Sequence, residues 1–318
     1  MKNQTYFLDQ DLALLLIISI SLLFALIGIL YSRKHQGLSN YLTANRNVGT
    51  LSLTTSLTAS ALGAWILFGP ASAATWGGIG SVIGYSFGTA FPMIAFIFLG
   101  SKIRKIFPKG RTLTEFIYSK FGKNLFKLIL LLTIFYMFIF LCAEVTAVSL
   151  LVNYISGTPL WLTSILVIIT TLIYTLYGGL RASILTDNLQ FFIILILLLI
   201  SFYFIFNINL DYISFDIIRN NSGHLLSAKY IPNYTAGLTF FIAVAATNLF
   251  HQGNWQRVFA AKNNEVLKKS LLISFIIIIP IVFFMGVSGI IAISIDSKVN
   301  PDLAFFQFFC KIKQGSYL

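Results

Sequence analysis

From Asn47 to Ser101 the chain carries no Asp, Glu, Lys or Arg. Within that run, six of the nine residues from Ser52 to Ser60 bear hydroxyls, and Gly63, Ala64 and Pro70 follow. A charge-free stretch of this length belongs in a membrane, yet its small and hydroxyl side chains protect the backbone weakly. In hydrocarbon, unwound backbone survives only where protein buries it or where it lines a cavity. Broken helices of that kind offer freed carbonyls to a cation and helix ends to a solute. The same residues also suit an unbroken helix whose small side chains admit close neighbours and whose hydroxyls bond to the preceding turn. The stretch alone leaves both readings open.

The rest of the composition fixes the class. Of 318 residues, 57% are hydrophobic and 10% charged, against roughly 25% charged in soluble domains. Long Ile, Leu and Phe runs predict an all-α integral membrane bundle, since barrel strands would alternate polar and apolar residues. Spans of roughly 20 residues are needed to cross the bilayer. Eight are expected, at about 11–32, 48–69, 75–100, 126–152, 160–177, 187–208, 235–253 and 270–293. The first keeps its positive charges after it and lacks a cleavage site, so it stays as a span. Sixteen of the 22 basic residues fall in alternate loops, including Arg33, Lys34, Arg46, Arg181 and Arg257. That bias places those loops in the cytoplasm and the N-terminus outside, in a multi-pass protein of the cytoplasmic membrane. It also explains the net charge of +12 without a nucleic-acid partner.

Between the spans, the segment FIYSKFGKNLF suits either a helix lying along the headgroups on Phe116, Tyr118 and Phe121 or a plain basic loop. The outer loop 209–234, with Asp211 and Asp216, is long enough for a lid or a passive connector.

Few residues in the spans can do chemistry. Glu144 stands inside the fourth span, where an unpaired carboxylate costs about 2.5–3.5 kcal/mol or more. It either lines a cavity or pairs with a neighbouring helix. Asp187 follows Gly178 and Gly179, which stop one helix; Thr186 and Asp187 are expected to cap the next. Asp187 is also placed to face an inner vestibule and attract cations. His251, Gln252, Asn254 and Gln256 form a polar patch around Gly253, suited to hydrogen bonding a small polar solute, with Trp255 beside it as a cavity wall or an interfacial anchor. The three histidines, 35, 224 and 251, offer neither zinc spacing nor paired haem ligands, which argues against an enzyme and against a resident cofactor.

Three segments carry a resemblance: GPASAATWGGIG (69–80), YGGLRASILTDNLQ (177–190) and QRVFAAKNNEVLKKS (256–270). In this order they are similar to signatures of the sodium/solute symporter family, over about residues 37–270. The resemblance implies a leucine-transporter-type fold of two inverted five-helix repeats, with 11–32 as an extra N-terminal helix. Residues 48–208 would be the first repeat and 235–293 the start of a second, incomplete one, all in one transmembrane domain over 1–318. It implies sodium as coupling ion, held by backbone carbonyls of Ala59 and Leu62 and by hydroxyls of a helix beyond Leu318. Ser60, Trp65, Glu144, His251, Gln252 and Trp255 become the substrate-cavity candidates.

Proline carriers have an acid where this chain has Ala61, and HQGNWQR resembles the urea-type branch with His251 in place of an acid. The implied partners are sodium, lipid and a small polar solute: urea-like, an amino acid or a sugar. The missing helices also fit a C-terminally truncated carrier or a non-transporting module such as a sensor's input domain.

Overall fold

The computed structural model describes residues 6–207 and 215–308. The chain is helical: α1 (Gln10–Arg33), α2 (Leu38–Thr43), α3 (Thr50–Ala61), α4 (Gly69–Ile106), α5 (Leu113–Ser156) and α6 (Leu160–Asn207) precede α7 (Phe215–Ser222), α8 (Ile231–Phe250), α9 (Gln252–Ala260) and α10 (Asn264–Ile295). Among the described residues, α1, α4, α5, α6 and α10 are long and apolar enough to cross a membrane. Leu131, Phe135 and Phe138 of α5 and Leu172, Leu176 and Leu197 of α6 are exposed. In water such faces would aggregate; against lipid they are the expected outer surface.

Glycines divide the long helices. Gly78 (φ 63°, ψ −159°), Gly122 (φ 83°) and Gly179 (φ 58°) hold left-handed backbone inside α4, α5 and α6. The second and third expected spans therefore part at Gly78, not between residues 69 and 75, and 70–74 are helical. Hydropathy cannot see this boundary, because apolar and small residues continue across it. Likewise the helix expected at 187 begins at Leu180, directly after the break. Asp187 thus lies two turns inside a helix, and its capping role is withdrawn. The seventh span also differs: α8 stops at Phe250, His251 is extended, and α9 resumes to Ala260.

The chain forms two compact units. One comprises Met1–Ser56, Lys102–Leu189 and His251–Leu267. Here Val48 pairs with the strand-like turn after α9, accepting from Lys262 N at 3.0 Å and donating to Ala260 O at 3.2 Å. Arg104 donates to the carbonyls of Val258 and Ala261, both at 2.8 Å, and Arg46 to those of Pro108 and Gly110. Arg181 donates to Asn40 Oδ1 at 2.9 Å. The helical piece Leu113–Phe121 ends at Gly122, with Tyr118 and Phe121 exposed and Phe116 half-buried.

The other unit comprises Leu57–Ser101, Gln190–Phe250 and Lys268–Leu318. Its closest packing joins α4 to α8 through glycine. A Cβ on Gly80 would lie 1.7 Å from Asn233 O, and one on Gly84 2.2 Å from Gly237 O. Gly80, Gly84 and Gly88 recur every fourth residue, the spacing that lets helix backbones touch. The segment before α8 is fastened here: Tyr230 Oη donates to Trp76 O at 2.8 Å and Asn221 Nδ2 to Ser294 O at 2.7 Å. Asp211, assigned to this loop from sequence, lies outside the described residues.

Candidate functional site

The hydroxyl-rich helix α3 stops at Ala61, Leu62 and Gly63 interrupt it, and a 3-10 turn at Ala64–Leu67 leads into α4. Gly63 is extended (φ −64°, ψ 174°). Around it the amide of Leu62 is shared between the carbonyls of Thr58 at 3.0 Å and Ala59 at 3.2 Å, and Ile66 N reaches Gly63 O at 3.2 Å. A carbonyl has two lone pairs, so the Ala59 oxygen keeps one for a further partner. Ala59 and Leu62 are buried, Ser60 and Trp65 half-buried. Trp65 stacks on Tyr85 with ring centroids 6.0 Å apart. Thr58 Oγ1 donates to Ser274 Oγ at 3.2 Å.

The second interruption stands in the other unit. His251 is 8% exposed, and its ring meets Phe140 edge-on at 4.9 Å and Tyr136 at 6.4 Å. His251 Nδ1 and Gln252 Oε1 are buried and have no hydrogen-bond partner among the described residues. Trp255 is buried rather than interfacial, and Glu144 is half-buried on α5.

A polar network in the same unit was not foreseen from sequence. Ser56 Oγ donates to Asp187 Oδ2 at 2.6 Å and accepts from Arg257 Nε at 2.7 Å. Arg257 Nη2 closes the ring on Asp187 Oδ2 at 2.5 Å. Beside it, Thr55 Oγ1 donates to Asn188 Oδ1 and Asn188 Nδ2 to Ser52 Oγ, each at 2.7 Å. Residues from α3, α6 and α9 are joined in this way. A cavity of about 190 Å³ adjoins, bounded by Tyr31, Asn47, Ser52, Arg181 and Asn188. Reading Arg257 as a loop charge hid its role; the signal available was one acid and one base in otherwise uncharged segments.

No group of three or more His, Cys, Asp or Glu able to hold a metal occurs among the described residues. What the arrangement offers is interrupted helices, buried hydroxyls and buried polar atoms without a partner among the described residues. The sodium:solute symporter family model matches residues 41–310. The chain belongs to that family. It is a multi-pass membrane protein, and the family is a class of transporters. A curated relative, the spermidine transporter DUR31 of Candida albicans, is 28% identical over 283 residues, covering 89% of this chain and 53% of that protein. A solved sodium-coupled sialic acid symporter, in a substrate-bound outward-open state, superposes with a TM-score of 0.74 at 16% identity, over 93% of this chain and 65% of that one. The chain thus spans about half the length of this curated relative, and the fold is of the leucine-transporter type.

Proposed function

We propose that the protein works in sodium-coupled symport of a small solute rich in N–H donors, urea-like or an amine, from outside to cytoplasm. The observation that carries the solute class is the buried pair His251 Nδ1 and Gln252 Oε1, both without a partner among the described residues and set at a helix interruption. With the imidazole proton on Nε2, both atoms are acceptors, and a buried acceptor left unmet costs about 1–3 kcal/mol. A solute bringing two N–H groups recovers that cost; a relative that carries spermidine supports the same chemistry. Sodium coupling is supported by family membership and by the interruption at Leu62–Gly63, where the carbonyls of Ala59 and Leu62 are the proposed ligands. The cytoplasmic placement of the basic loops, and so an external N-terminus, follows the charge bias.

Uptake of labelled urea, spermidine, proline and glucose into proteoliposomes tests this with the protein in its full length. An inward sodium gradient is expected to drive one of the nitrogenous solutes. Accumulation driven by protons alone would overturn the coupling ion. Gln252→Leu is expected to raise the KM for the carried solute about three- to tenfold, the worth of one neutral hydrogen bond. Gly63→Leu is expected to abolish sodium stimulation while the protein inserts normally, because a bulky side chain favours closing the freed carbonyls into helix. Sodium affinity unchanged in that variant would show that the carbonyls there are not ligands.

A further inference from the structure

The unit built on Leu57–Ser101, Gln190–Phe250 and Lys268–Leu318 contains a cavity of about 210 Å³ whose walls include Phe68, Ser72, Trp76, Tyr85, Phe240 and Asp302. Its aromatic part is ordered. Tyr85 stacks on Phe240 with centroids 4.4 Å apart and 25° between planes, and Trp76 tilts against Phe240 at 5.8 Å. The single charge is the carboxylate of Asp302, which accepts from Ser72 Oγ at 3.4 Å and has no basic partner among the described residues. A local cap presets its turn: Asn300 Oδ1 accepts from Asp302 N at 3.1 Å, and Gln307 Oε1 from Asn300 N at 3.0 Å. The walls are at the ends of helices that face outside when the basic loops are cytoplasmic.

The chemistry of these walls narrows the occupant. An anion meets only a negative charge. A sugar needs several hydrogen-bond partners on every side, and the side chains here supply two hydroxyls, one indole N–H and one carboxylate, among aromatic rings. Sodium needs a full shell of oxygen, which aromatic rings do not provide. A purely apolar molecule would strip water from Asp302 without compensation. An alkylammonium group satisfies both halves, with its charge on the carboxylate and its methylenes and flanking charge density on ring faces.

We propose that this cavity is an outer docking point for the ammonium end of an alkylamine, which selects cationic over neutral solutes before they pass inward. The inference rests on the transport reading for its consequence, but binding is measurable without transport. Titration calorimetry of putrescine on the detergent-purified protein is expected to show saturable binding. Asp302→Asn, an exposed and fold-neutral change, is expected to weaken it about tenfold, and Trp76→Leu three- to tenfold. In proteoliposomes the same variants should raise the KM for putrescine by those factors and leave turnover within about twofold.

The possible results separate the two claims. Putrescine binding that is weakened in both variants, without sodium-driven uptake of any solute, sinks the symport reading and keeps the docking point. Sodium-driven uptake of urea that excess putrescine does not inhibit, with no putrescine binding, sinks the docking point and keeps symport. Binding equal in wild type and Asp302→Asn also overturns the proposal.

Discussion

Arg257→Ala is expected to destabilise the protein by about 3–5 kcal/mol, because it strands a buried carboxylate. The side chains of Arg257 and Asp187 are 6% and 14% exposed, so water replaces the lost partner only in part. Ser56 loses its donor at the same time, and with it the bridge from α3 to α6 and α9. The pair itself has a smaller net worth, since desolvating two charges offsets much of their attraction. Removing both charges should therefore cost less than removing one. Arg257→Met combined with Asp187→Leu is expected to recover most of the loss seen in Arg257→Met alone. Thermal unfolding of the four proteins in one detergent gives the coupling energy directly. Additive single effects would mean that the two side chains are not coupled as the geometry requires.

Gly80→Ala is expected to be as damaging, for a steric reason. Its new methyl carbon would lie 1.7 Å from the carbonyl oxygen of Asn233 and 2.4 Å from the carbonyl carbon. Ordinary overpacking costs about 1–3 kcal/mol because side chains can yield. Here the obstacle is backbone, so α8 must separate from α4, and a loss at or above the upper end is expected. Separation also breaks the bond from Gly80 N to Asn233 Oδ1 at 3.0 Å. Gly49→Ala is the control, since a Cβ there meets nothing within 4 Å. Size-exclusion profiles and melting temperatures should place Gly49→Ala with wild type and Gly80→Ala far below. A wild-type melting temperature for Gly80→Ala would refute the close approach of these two helices.

Local physical signals were legible in the sequence. Apolar length betrays a helix that meets lipid, and the interruption at Leu62–Gly63 was legible because hydroxyls and small residues crowd one short run. The helix is interrupted there, so the unbroken helix that the sequence left open does not form; close packing through small residues falls further along, at Gly80, Gly84 and Gly88. The glycine break at 78 escaped, because hydropathy is blind to a left-handed residue within a continuous apolar segment; Gly179 was read as a helix stop, but the next helix starts at Leu180 rather than near 187. The Arg257–Asp187–Ser56 ring escaped for a different reason. Its members lie 70 and 131 residues apart, and nothing near Ser56 says which hydroxyl in a run will meet a charge. His251 and Gln252 were singled out from sequence as polar residues at the end of an apolar span. Their place at an interruption, with α9 continuing beyond, required the backbone.

Arg46 and Arg104 are among the basic residues that the charge bias assigns to the cytoplasmic side in the topology proposed above, a role that lysine would fill equally well. Once folded, they do something lysine cannot. Each guanidinium spreads across two backbone carbonyls, Arg104 on Val258 and Ala261 at the end of α9, Arg46 on Pro108 and Gly110. That fork needs a planar group with several fixed donors. On that topology, insertion would read these residues as charge, whereas the finished protein reads them as shape. Arg104→Lys separates the two: a correctly threaded chain whose α9 terminus has lost its clasp.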